Sequence, residues 1–133
     1  MLTLEPGDPT PEQERLVELA HEMFDLARAG EADRLAAYVD AGVPVNLTDA
    51  AGNTLLMLAA YHGHAPAVAA LATRGADVDR VNDHGQSPLA GAVFKDEPDV
   101  VRALLDAGAD PDNGSPSARE TAVLFGRPDL FSL

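Results

Sequence analysis

The chain has 133 residues, 46% of them hydrophobic and 23% charged, which suffices for one domain with a real core and is too short for two ordinary ones. Nine Lys and Arg against 22 Asp and Glu leave a formal charge of −13, and the single lysine is Lys95, so no basic footprint exists to neutralise phosphates and nucleic acid is not an expected partner. The absence of Cys removes disulfides, thiolate metal sites and cysteine nucleophiles together. The opening Met1-Leu2-Thr3-Leu4-Glu5-Pro6 has no cationic stretch ahead of an apolar one, and no run approaches the roughly 18 apolar residues of a membrane span. A cytoplasmic chain without a membrane partner is expected. Its 24 alanines and its eight arginines against one lysine carry the coding bias of a GC-rich bacterial genome.

In chain order, residues 1–9 read as a flexible tail. Thr10-Pro11-Glu12-Gln13 then has the form of a capping box with Pro in the first turn. The helix it opens runs to about Ala29, with Leu16, Leu19, Ala20, Met23 and Ala27 at helical spacing on its apolar face. Thr54 is placed to N-cap a short helix through Ala60, Gly63 breaks it, and Pro66 sits in the first turn of a second helix carrying Val68, Leu71 and Ala72. Gly42, Gly75 and Gly108 follow helices at the position where a left-handed backbone favours glycine. Ser117-Ala118-Arg119-Glu120 starts a last helix through Phe125, and Asp129 to Leu133 leaves room for about one more turn. Leu130, Phe131 and Leu133 then cover the last unit incompletely, which predicts apolar surface at the rim and makes a weak end-to-end dimer the alternative to a monomer.

Self-comparison accounts for this order. At an offset of 33, Asp49 to Val81 matches Asn82 to Gly114 in ten identities, among them Gly52/Gly85, Leu56/Leu89, Ala59/Ala92, Val68/Val101 and Leu71/Leu104. A weaker third copy lies 33 residues earlier, with Gly30 below Gly63, Leu35 below Val68, Ala37 below Ala70 and Gly42 below Gly75. Each unit is turn, short helix, tight turn, second helix and glycine stop. One such unit cannot bury its own apolar face, so the copies must stack.

Asp49-Ala-Ala-Gly52-Asn-Thr54-Leu-Leu56-Met57-Leu-Ala59-Ala60-Tyr-His-Gly63-His64, closed by Gly75-Ala76-Asp77, resembles the ankyrin repeat. So does Gly85-Gln-Ser87-Pro88-Leu89-Ala90-Gly-Ala92, closed by Gly108-Ala109-Asp110. The second copy departs from the family's Gly-His at Asp96-Glu97, and Met57 and Ala90 replace the histidine that commonly bridges neighbouring units. The resemblance implies an all-α solenoid forming a single domain. Two full repeats, 49–81 and 82–114, would stand between an N-terminal capping unit, 10–48, and a truncated C-terminal cap, 115–133.

The resemblance also implies a non-enzymatic module that binds a partner protein through a concave groove and its finger tips. The positions it assigns there are Ala50, Ala51, Asn53, Tyr61 and His62 in one unit and Asp83, His84, Gln86, Phe94 and Lys95 in the next, with Arg28 as the nearest equivalent in the N-terminal cap. Tyr61 and Phe94 stand one repeat apart, off the recurring core positions, and are candidate anchors.

Nothing in the sequence supplies a nucleophile elbow or a phosphate loop, so neither an enzyme nor a cofactor is expected. His62-x-His64 and the repeated Asp77-x-Asp79 and Asp110-x-Asp112 resemble metal ligands only in spacing; His64 falls on a turn position, Asp after a helix-ending glycine is a turn residue, and no metal is expected. By count, residues 10–48 carry −5, 49–81 −1, 82–114 −5 and 115–133 zero, a pattern that suits a partner with a basic surface. The alternatives are an acidic inhibitor mimicking nucleic acid on a basic protein, or an accessory protein to an enzyme, as in the small bacterial ankyrin-like proteins encoded beside catalases.

Overall fold

The computed structural model describes Gly7 and residues 9–131; most of the expected tail over 1–9, and the rim residue Leu133, lie outside the described residues. Seven α-helices follow one another there: α1 (Pro11–Ala29), α2 (Ala32–Asp40), α3 (Leu55–Tyr61), α4 (Ala65–Ala72), α5 (Pro88–Phe94), α6 (Pro98–Asp106) and α7 (Ala118–Leu124), closed by a 3-10 turn over Pro128–Phe131. Helices α1, α3, α5 and α7 form one row in which each packs on the next; α2, α4 and α6 form a second row behind it. No extended strand occurs among the described residues. The architecture is an all-helical solenoid.

The caps expected at Thr10, Thr54 and Ser117 start their helices, and Ser87 does the same for α5. Thr54 and Ser87 accept hydrogen bonds from the backbone N–H groups of Met57 (3.0 Å) and Ala90 (3.1 Å), and Thr10 with Gln13 and Ser117 with Glu120 close full capping boxes. Thr54 and Ser87 are buried between the inner helices, so these bonds also satisfy polar groups that water cannot reach. The core repeats as the sequence does: Leu56 and Leu89, Ala59 and Ala92, Val68 and Val101, Leu71 and Leu104 are all buried.

Two expectations about apolar surface change. Leu16, placed on the apolar face of α1, is 62% exposed, because every fully buried residue of α1 comes from Met23 onward and its first turns extend past the stack. At the other end Phe131 is buried and Leu130 packs against the core. The exposed apolar groups lie one helix earlier, at Val123, Leu124 and Phe125.

The units are linked through their loops. His64 donates from Nε2 to the Arg28 carbonyl at 2.7 Å, tying α4's start to α1's end. Asn46 Oδ1 accepts the Asp77 N–H (2.9 Å), and Asp79 Oδ1 accepts the Asp110 N–H (2.8 Å) one repeat later. Asp77 and Asp110 each accept an N–H two residues on, at Asp79 and Asp112. These aspartates therefore serve turns and inter-repeat links. With Met57 and Ala90 in place of the bridging histidine, neighbouring fingers join instead through Asn82 Nδ2 donating to Asn53 Oδ1 (2.9 Å) and through the Asp83 N–H donating to Ala51 O (3.0 Å).

Within each pair the helices are separated by one left-handed residue: Gly30 (φ 75°), Gly63 (82°), Asp96 (55°) and Gly126 (72°). Asp96 is the only residue other than glycine with positive φ among those described, and its carboxylate meets Arg127 only at 3.9 Å, both side chains half or more exposed. Such a pair contributes little, whereas a Cβ in this conformation costs about 1–2 kcal/mol. Asp96→Gly should therefore raise stability by about 1 kcal/mol, seen as a higher urea midpoint at unchanged slope; a lower midpoint would show that the carboxylate outweighs the strain. Removing residues 82–133 strips α5 and α6 from α3 and α4, and fragment 1–81 should lose cooperative thermal unfolding by circular dichroism, a result that a sharp fragment melt would contradict.

Candidate interaction groove

The left-handed residues fix a register along the row of α1, α3, α5 and α7. Two places before each of them stand Arg28, Tyr61, Phe94 and Leu124, and one place before stand Ala29, His62, Lys95 and Phe125. Four helices thus bring two columns of side chains into line at their C-terminal ends, facing a trough whose far wall is the fingers.

Along that trough the expected positions divide into three depressions. Ala50 and Ala51 line the first, with Val17, His21, Phe24 and Arg28 opposite. Asn53, Tyr61, His62 and Gln86 line the central one, about 350 Å³, together with Arg28, Asp49 and Met57. His84, Gln86 and Phe94 line the third, about 410 Å³, with Ala90, Pro116, Thr121, Leu124 and Phe125. Gln86 is common to the second and third and makes them continuous. Asp83 lies at the exposed finger, its carboxylate over Gly52.

Lys95 links the columns. Its Nζ lies 4.9 Å from the Tyr61 ring centre, a cation–π contact, and Tyr61 meets His62 edge-on at 5.6 Å. Phe94 is 55% exposed and meets Phe125 edge-to-face at 5.7 Å. Burial first, then the neighbours His64, Arg28 and Lys95, hold the His62 pKa below its usual value. Asn53 is less free than its position implies, since its amide is held between Asp49 and Asn82. Asp49 in turn accepts the N–H groups of Ala51 (3.0 Å) and Asn53 (2.9 Å), and Asn82 those of His84 and Gln86, both at 3.0 Å. The wall is thus built by two equivalent side-chain-capped turns.

Leu124 and Phe125, 76% and 54% exposed, complete the columns and were not legible as groove residues. The caps Thr54 and Ser87 are 33 residues apart, but Ser87 and Ser117 only 30, because the last finger is three residues shorter. Stepping 33 from Phe94 lands on Arg127. Counting from the capping serine instead finds Leu124.

Residues 23–114 match the family model for ankyrin repeats in three copies. A Pseudomonas aeruginosa protein named for ankyrin repeats is 48% identical over 58 residues, covering 43% of this chain and 34% of that protein. The crystal structure of the human ASB11 ankyrin repeat domain superposes with a TM-score of 0.70 at 29% identity, covering 81% of this chain and 50% of that one. The chain therefore spans about a third of the length of the curated relative and half that of the solved structure.

Proposed function

The chain belongs to the ankyrin repeat family, and on that footing we propose that it acts as a single binding domain whose concave trough and finger tips hold a partner protein. Ankyrin repeats are in general protein–protein interaction modules and non-enzymatic scaffolds. The observation that carries the proposal for this trough is Phe94, 55% exposed and aligned with Tyr61 one helix away and with Leu124 and Phe125 on the other side. Large rings left in water along one row of a folded stack are surface that a partner would bury. The remaining proposed contacts are His62, Lys95, Gln86 and His84 beside the rings, and Asp83, Asn53, Ala50 and Ala51 along the fingers.

Affinity capture from the cell of origin, with the wild-type chain and the Tyr61→Ala/Phe94→Ala double variant as parallel baits, tests this reading. The partner should be lost from the double variant while both baits melt within a few degrees of each other. Equal capture by both would overturn the trough as the site.

A further inference from the structure

The chain's charge of −13 favours a basic partner at long range, but the side chains that face the trough carry a different balance. Asp49 is turned into its own finger by three N–H donors, Asp25 is paired with Arg28 at 3.0 Å, and the Asp83 carboxylate lies over Gly52. Of the other arginines, Arg34, Arg74, Arg119 and Arg127 pair with carboxylates. Among the described residues Lys95 has no carboxylate within ion-pair distance, and its ammonium lies over the face of Tyr61. Among the described residues the chain's one lysine makes no ion pair; it stands over Tyr61, which lines the central depression with Arg28, and directly follows Phe94, which lines the apolar depression with Leu124 and Phe125.

Resting on the proposed trough, we propose that it recognises a peptide segment in which a carboxylate-bearing residue adjoins a large apolar one. The apolar side chain lies against Phe94, Leu124 and Phe125, and the carboxylate meets Lys95 above the Tyr61 ring. Charge complementarity decides the occupant: an acid placed at Lys95 gains a partner for an ammonium that makes no ion pair among the described residues, whereas a Lys or Arg placed there meets the same ammonium with like charge. The apolar depression, about 410 Å³ and lined by no Asp, Glu, Lys or Arg, suits the neighbouring residue.

The test is selection of a random 12-residue peptide library on the full chain, followed by titration of synthetic peptides. Enriched sequences should place Asp or Glu within two residues of Leu, Phe or Trp. Changing that acid to its amide should weaken binding about tenfold, the size expected for losing one charge-assisted contact. Lys95→Glu should weaken the acidic peptide at least as much and restore binding when the peptide's acid is changed to Lys, while Phe94→Ala should weaken both peptides alike. Enrichment of basic sequences, absence of any enrichment, or indifference to the sign at position 95 would overturn the proposal. If the native partner were still lost from the Tyr61→Ala/Phe94→Ala bait, such a result would remove the acid preference and leave the trough standing.

Discussion

Gly30→Ala is expected to destabilise the chain by about 3 kcal/mol. Two costs combine. The backbone at Gly30 has φ 75°, where a Cβ costs about 1–2 kcal/mol, and a methyl there would lie 2.4 Å from His64 Nδ1, far inside contact distance. The imidazole cannot simply turn away, because its Nε2 is bonded to the Arg28 carbonyl and links the first helix pair to the second. Gly75 separates the two costs: it is also left-handed, at φ 90°, but a Cβ there meets nothing within 4 Å, so Gly75→Ala should lose only about 1 kcal/mol. Gly63 falls between them, since the atoms in the way are the carboxylate end of Glu97, a longer and more yielding side chain. The order Gly30, Gly63, Gly75 in urea midpoints measures contact on top of backbone strain. Equal losses at Gly30 and Gly75 would mean that His64 contributes no rigid link.

The features legible in the sequence are those that one residue type enforces locally. A hydroxyl before an apolar run caps a helix, a glycine after one permits the left-handed turn, and leucines at 33-residue spacing need the same neighbours in each unit. Thr54, Ser117, Gly75 and Leu89 accordingly behave in the structure as their sequence implies. Asp96 was legible as a departure from the Gly-His pattern; that it still adopts the glycine conformation was not, because the stack imposes that turn against the residue's own preference. The exposure of Leu16 depends on how far α1 outruns its neighbour, a length that local pattern does not encode. Phe125 was hidden for another reason: a shorter finger moved the repeat's count by three without moving its geometry. The use of Asn53 inside the finger wall was likewise out of reach, since its partner Asn82 comes from the next unit and only stacking brings their amides together.

Truncating either anchor ring should weaken a trough-bound partner by about 2 kcal/mol, roughly thirtyfold in Kd, with little change in melting temperature. The stability part follows from exposure: Phe94 is more than half in water already, so Phe94→Ala forfeits little buried surface. The two losses should differ in their couplings. Phe94 touches Phe125 at 5.7 Å, so combining Phe94→Ala with Phe125→Ala should cost less than the sum of the single losses, each having already spoiled the shared apolar depression. Tyr61 instead supports Lys95 through its ring face, so the non-additive partner of Tyr61→Ala should be Lys95→Ala. Acidic side chains on the first turns of α1 lie away from both pairs. Glu18→Lys should alter the association rate and its salt dependence while leaving the dissociation rate unchanged. An acidic mimic of nucleic acid predicts the reverse pattern, in which Glu18→Lys weakens the complex strongly and the rings are dispensable. Measuring the five single variants and two pairs at low and high salt separates these cases, and a partner whose dissociation ignores both Tyr61→Ala and Phe94→Ala would place the interface elsewhere on the stack.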